Sequence, residues 1–137
     1  MPKRKRYGEF KMTRPLASYL ETALWSSTGD DGEPLDKEFT IYDLPESELN
    51  KAKRDLDKFM AKADALPQAD EGPSESFESQ SMEKVAHDFW LTRNGHGAGF
   101  WDGDYPEALG AQLTAIAEKF GEVDIYVGDD GKLYFSP

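Results

Sequence analysis

Apolar residues recur at spacings of three and four in three stretches of the chain and alternate with period two in one. Leu16, Leu20, Ala23 and Leu24 share a face, with Pro15 in a first turn and Thr13 as cap, and predict a short amphipathic helix over 15–26. Leu49, Ala52, Leu56, Phe59, Met60 and Ala63 predict a longer one from Asp43 to about Ala65, opened by Asp43-Leu-Pro-Glu46 read as a capping box. Leu109, Leu113, Ile116, Ala117 and Phe120 form a third stripe behind Pro106 and Glu107, stopped by Gly121. Residues 123–127 and 132–136 then alternate around Gly128-Asp-Asp-Gly131, the pattern of a β-hairpin with Tyr126 and Tyr134 on the outer face.

Two further segments are read from run length and turn chemistry. Phe39, Ile41 and Tyr42 suggest a brief extended stretch. After a helical turn at 82–87, the runs 88–93 and 100–102 flank Asn94-Gly-His-Gly-Ala-Gly99 and read as another hairpin, with Phe89, Leu91 and Phe100 inward and Trp90 and Trp101 packed across the pair. The expected architecture is α+β: N-terminal helices plus a C-terminal hairpin, helix, hairpin unit, giving an antiparallel sheet of three or four strands packed by helices. Residues 66–81 are rich in Ser, Glu and Pro with Phe77 as their one large aromatic side chain, the composition of a flexible linker. The chain thus divides into an arm at 1–14, a helical region at 15–65, this linker and an α+β region at 82–137, with the two structured regions forming one domain.

Charge changes the picture. The 137 residues carry a formal net charge of −11 and no cysteine. Lys3, Arg4, Lys5, Arg6, Lys11 and Arg14 face one acid, Glu9, so the arm at 1–14 is +5 and the rest of the chain is −16. Such a body repels nucleic acid and phospholipid and attracts basic grooves. Without cysteine there is neither a disulfide framework nor a thiolate metal site, which fits a reducing compartment. No run reaches the roughly 20 apolar residues of a membrane span and no apolar segment follows the basic start, so a soluble, cytoplasmic protein is expected.

Unusual residues concentrate at 87–104. A metal site there would draw on His87, Asp88, His96, Asp102 and Asp104, but no fixed ligand spacing is present. A His96 base oriented by Asp102 or Asp104 has only Thr92 as a neighbouring hydroxyl, and the glycines of 95–99 lack the following helix that makes a phosphate loop. No catalytic residue, metal ligand or cofactor is assigned. Arg93, Asn94 and His96 beside Trp90 and Trp101 have instead the composition of a contact surface. The string Gly-Asp-Asp-Gly occurs at 29–32 and 128–131; it lacks the alternating acids of a calcium loop and reads as a turn in both places.

The segments His87-Asp-Phe-Trp-Leu-Thr-Arg-Asn-Gly-His-Gly-Ala-Gly-Phe-Trp-Asp102 and Gly121-Glu-Val-Asp-Ile-Tyr-Val-Gly-Asp-Asp-Gly-Lys132 resemble a family of small acidic proteins encoded by bacteriophages and prophages. Tyr19-Leu-Glu-Thr-Ala-Leu-Trp-Ser-Ser27 and the capped helix after Asp43 are similar as well, while the basic arm departs from the pattern. The resemblance implies a phage context and carries over no activity or active-site residue. With the acidic body, it leads to the expectation of an inhibitor of a host nucleic-acid-handling or defence complex, of the anti-CRISPR or anti-restriction type, acting in the host cytoplasm. Its carboxylates would meet a basic surface in place of phosphates. The acidic candidates are Asp30, Asp31, Glu33, Asp36 and Glu38, then Asp102, Asp104 and Glu107, then Asp129 and Asp130. The alternatives are direct nucleic-acid binding through Lys3 to Arg14, and a small enzyme using a His/Asp site in 87–104.

Overall fold

Thr13 sets the first boundary: its hydroxyl oxygen accepts the Leu16 amide at 3.2 Å. Pro15, lacking an N–H that the first turn would leave unused, follows it. The helix so opened, α1 (Arg14–Ser26), is the start of a computed structural model that describes residues 11–29, 31–66, 80–95, 99–100 and 105–136. Two 3-10 turns, Leu35–Lys37 and Ile41–Asp43, lead to α2 (Glu46–Asp64). Then come α3 (Met82–Arg93), α4 (Glu107–Lys119) and the strands β1 (Ile125–Val127) and β2 (Leu133–Phe135). The strands pair antiparallel, Ile125 opposite Phe135 and Tyr126 opposite Tyr134. The result is α+β with the expected C-terminal hairpin.

Three local expectations are corrected. Ile41 and Tyr42 lie in a 3-10 turn rather than an extended segment, because Asp43 reaches back to the Thr40 amide (2.8 Å) while Thr40 accepts from Tyr42. Spent on that box, Asp43 does not cap α2, which starts behind Pro45 without a side-chain cap. The run 88–93 is not the strand of a hairpin; it completes α3. Asn94 caps this helix, and Gly95, at φ 74°, takes the left-handed position that ends it. The Asn-Gly pair therefore terminates a helix instead of turning the expected hairpin. Among the described residues the sheet has two strands in place of three or four. Trp101 and Asp102 lie outside them.

The physical cause is burial. Val85, Ala86, Asp88, Phe89, Trp90, Leu91, Thr92 and Arg93 are all buried, so α3 is surrounded and shows no apolar stripe to mark its period. It is the axis of the core. Phe89 stacks on Phe59 of α2 at 4.2 Å between ring centres and on Tyr19 of α1 at 5.5 Å, and meets Phe120 edge-on at 5.0 Å. Offset and edge-on ring pairs of this kind add to the stabilisation that burial alone provides. Phe100 continues the stack on Phe59 at 5.6 Å.

A lone two-stranded hairpin is marginal in water and must dock to persist. Ile125, Leu133 and Phe135 turn into the core. The buried Glu48 carboxylate at the start of α2 accepts the Phe135 amide at 2.9 Å, and Asn94 accepts the Val123 amide at 2.9 Å. Val127 departs from the expected alternation: it is 41% exposed, beside the 49% exposed Tyr126.

Candidate functional site

Three of the expected contact residues serve the interior. Trp90 is buried, its indole N–H donating to Ser26 Oγ at 2.9 Å. Arg93 is also buried, and four of its five N–H donors are used inside the protein. Nε donates to Gly121 O (2.8 Å), Nη2 to Phe120 O (3.1 Å), and Nη1 to both Tyr19 Oη (3.0 Å) and Asp55 Oδ2 (2.9 Å). Its guanidinium also sits over the rings of Phe89 and Phe120. Asn94 is half-buried and spans Trp90 O and the Val123 amide. Arg93 and Asn94 therefore tie the end of α3 to the end of α4 and the approach to β1. Burial pushes the Tyr19 hydroxyl up to about 12, with the nearby Arg93 cation opposing the shift.

The acidic candidates behave differently. Asp31, Glu33, Asp36, Glu38, Glu107, Asp129 and Asp130 are all exposed. The two Gly-Asp-Asp-Gly strings fold alike. Gly29 N–H donates to Glu33 O and Gly128 N–H to Lys132 O; Gly32 N–H returns to Gly29 O and Gly131 N–H to Gly128 O. Asp31 accepts the Glu33 amide as Asp130 accepts the Lys132 amide. Gly32 and Gly131 sit at φ 81° and 79°. Residues with a Cβ adopt that conformation only with strain. The expectation of turns thus holds at both places.

Asp31, Glu33, Glu38, Leu35 and Phe39 line a shallow groove of about 260 Å³ together with Val127, the residue directly before the second turn. Val127 thus brings the base of the second turn against Asp31, Glu33 and Glu38, while Tyr126 stands on the other face of the hairpin, ring to ring with Tyr134, which bonds Asp130. Lys37 is held by Glu33. The Tyr134 hydroxyl donates to Asp130, which with the Lys132 amide holds that carboxyl below its usual range and pushes the Tyr134 hydroxyl up. Glu107 lines a different groove, with Phe100 and Tyr105. Asp30, His96, Trp101, Asp102 and Asp104 lie outside the described residues, as do Lys3 to Arg6; Lys11 and Arg14 are exposed at the start of α1.

The sequence suggests His87 and Asp88 only as metal ligands. Asp88 is in fact the hub of a polar cluster: its buried carboxylate accepts from Lys84 Nζ (3.1 Å) and Tyr105 Oη (2.7 Å) and lies 2.9 Å from His87 Nδ1. The His87 ring tilts against the exposed Trp25 ring at 5.8 Å between centres. Thr92, the hydroxyl nearest the expected His96 base, is buried and accepts the Phe100 amide. Among the described residues no group of three or more His, Asp or Glu side chains can hold a metal, and no helix is long and apolar enough to cross a membrane. Sequence reasoning misses the roles of Glu48, Asp55 and Tyr105, because the Phe135 amide, Arg93 and Asp88 that they bond are distant along the chain and no local pattern marks these contacts. Comparison with family models, curated proteins and solved structures finds no match to this chain.

Proposed function

We propose that this chain is a phage-encoded acidic protein that binds and inhibits a host nucleic-acid-handling or defence complex, of the anti-CRISPR or anti-restriction type. The end bearing the two Gly-Asp-Asp-Gly turns is presented to a basic surface built for phosphate. The observation that supports this reading is that exposed Val127, the residue before the Gly128-Asp129-Asp130 turn, lines one groove with Asp31, Glu33 and Glu38. Carboxylates of the first turn there border an exposed apolar residue, Val127, and the exposed Asp129 and Asp130 follow it in the hairpin turn. Arginines arranged for phosphate accept carboxylates with similar charge-assisted geometry, and desolvated apolar contacts supply the affinity that exposed ion pairs lack.

The test is capture of bacterial nucleic-acid-binding complexes on the immobilised protein, repeated with E33K/E38K/D129K/D130K. Capture should be lost in the variant, fall steeply from low to moderate salt, and be displaced by duplex DNA. Equal capture by the variant, or capture indifferent to salt, overturns the reading. A gel shift of DNA that needs residues 1–14 would favour the nucleic-acid alternative instead.

A further inference from the structure

The sequence suggests that the charged face of α2 is an ordinary solvated mixture, but the fold separates its cations. Lys58, Lys62 and Ala65 lie at spacings of four and three on one face of α2 and its end, and across from them stand Ile116, Lys119 and Phe120 of α4 and its cap. Together these six residues line a groove of about 530 Å³. Among the described residues its charged lining is three lysines and no acid, in a chain whose net charge is −11.

Two details set these lysines apart from others on the same helix. Lys51 and Lys53 are paired, with Glu48 and Asp57, and Asp55 is taken by Arg93. Lys58, Lys62 and Lys119 are exposed and make no ion pair or hydrogen bond through their ammonium groups among the described residues. Lys62 and Lys119 also sit in the last turns of their helices, where a cation is favourable in its own right. Lys58 lies more than a turn further back, and the helix dipole does not account for it. The floor is rigid: Phe120 packs edge-on against Phe59 and Phe89, and its carbonyl is held by Arg93 Nη2.

We infer that the groove between α2 and α4 docks an acidic amphipathic helix of a partner protein, with apolar side chains on Ile116 and Phe120 and carboxylates against Lys58, Lys62 and Lys119. An apolar floor between two helices, rimmed by one sign of charge, suits recognition of a helix through anchors at i, i+3, i+4 and i+7. A volume of about 530 Å³ receives only a few large side chains, so one to two turns of the partner would be engaged. The uncompensated lysines select the sign of the flanking residues, since a basic helix with the same anchors would meet like charge. This surface is separate from the acidic end and takes a partner of opposite charge, so it stands or falls independently of the proposed inhibition.

The test uses the full chain and a fluorescent synthetic helix with leucines at i, i+3, i+4 and i+7 and glutamates elsewhere. Its controls are a scrambled peptide of equal composition and a peptide with lysine in place of each glutamate. The acidic helix should bind saturably, and K58E/K62E/K119E should weaken it by about tenfold or more, the sum of three modest exposed contacts. Because all three side chains are exposed, the variant should keep the helical circular dichroism of the parent, with the melting temperature lowered only by a few degrees through the loss of two favourable helix-end cations. Ile116→Asp, read by peptide-induced amide shifts in NMR, should lose binding through the floor rather than the rim. Undiminished binding by the triple lysine variant, equal binding of the scrambled peptide, or preference for the lysine peptide overturns the inference. Binding of dodecanoate without binding of the acidic helix also overturns it, and assigns the groove to a small anionic amphiphile. E33K/E38K/D129K/D130K should bind the acidic helix at least as well as the parent, which separates this outcome from that of the host-capture experiment.

Discussion

The Arg93 site and the acidic end are built from the same kinds of side chain and do opposite things. At Arg93 one cation is enclosed by Tyr19, Asp55, two backbone carbonyls and two aromatic rings. At the acidic end, Glu33, Glu38, Asp129 and Asp130 stand in water, Glu33 paired with the exposed Lys37 and Asp130 bonded by Tyr134 and the Lys132 amide. A buried charge is tolerated only with its partners in place, and removing one partner leaves the others desolvated and unpaired. An exposed carboxylate costs the fold almost nothing and stays available to a second molecule. Charge inside the protein therefore specifies the arrangement of helices, whereas charge outside it specifies what the protein can meet.

The sharpest way to break this contrast is to remove the interior cation. Arg93→Ala should destabilise the fold by about 3–5 kcal/mol, read by urea denaturation, because the Phe120 and Gly121 carbonyls and Asp55 lose their donor together. A loss no larger than that of an exposed lysine would place Arg93 with the surface residues. Phe59→Ala, which opens the aromatic stack without touching charge, should cost a comparable amount, about 3–5 kcal/mol.

A smaller effect comes from Tyr19. Its hydroxyl ionises near 10 in the unfolded chain and at about 12 in the folded one, so the folded state favours the neutral form. That stabilisation is complete below pH 10, declines as pH rises from 10 through 12, and amounts to roughly 2–3 kcal/mol. Tyr19→Phe should flatten this part of the stability profile; an unchanged alkaline slope would locate the titration elsewhere.

Smallest of all for the fold is the acidic end. E33K/E38K/D129K/D130K should leave the melting temperature within about 3 °C of the parent while changing what the protein captures. Asp130→Asn should let the Tyr134 hydroxyl fall back toward its ordinary value, seen as a lower midpoint in tyrosinate absorbance, since the bond from Tyr134 to Asp130 is the main cause of its rise.

What could be read in advance follows from how local each signal is. Helices α1, α2 and α4 each bury one stripe, so Leu16 and Leu20, Leu49 and Leu56, and Leu109 and Leu113 announce them. Thr13 and Gly121 mark ends within the same few residues that they terminate. The hairpin at 125–135 carries its own turn. From Asp88 to Arg93 every residue of helix α3 is buried, which erases the period there, and its Asn94-Gly95 ending is shared by helix caps and hairpin turns. Only its packing against Tyr19, Phe59 and Phe120 distinguishes the two.

The candidate surfaces divide along the same line. That Asp31, Glu33, Glu38, Asp129 and Asp130 are exposed acids in and around turns was legible, because two flanking glycines and an Asx side chain are enough to form each turn. That Trp90 and Arg93 face inward was not, since Trp and Arg suit an interface and an interior equally well and the choice rests on Ser26, Asp55 and Tyr19, all far away in sequence.

By itself, then, the sequence determined the amphipathic helices, the C-terminal hairpin, the two identical turns and the partition of charge, because each depends on residues within a turn or two of one another. Tertiary structure alone decided that residues 88–93 are a helix, that Arg93 is an internal clamp, that Val127 of the hairpin lines one groove with Asp31, Glu33 and Glu38, and that Lys58, Lys62 and Lys119 surround one apolar groove. Those outcomes depend on which distant surfaces exclude water from each other, and burial of that kind has no local signature.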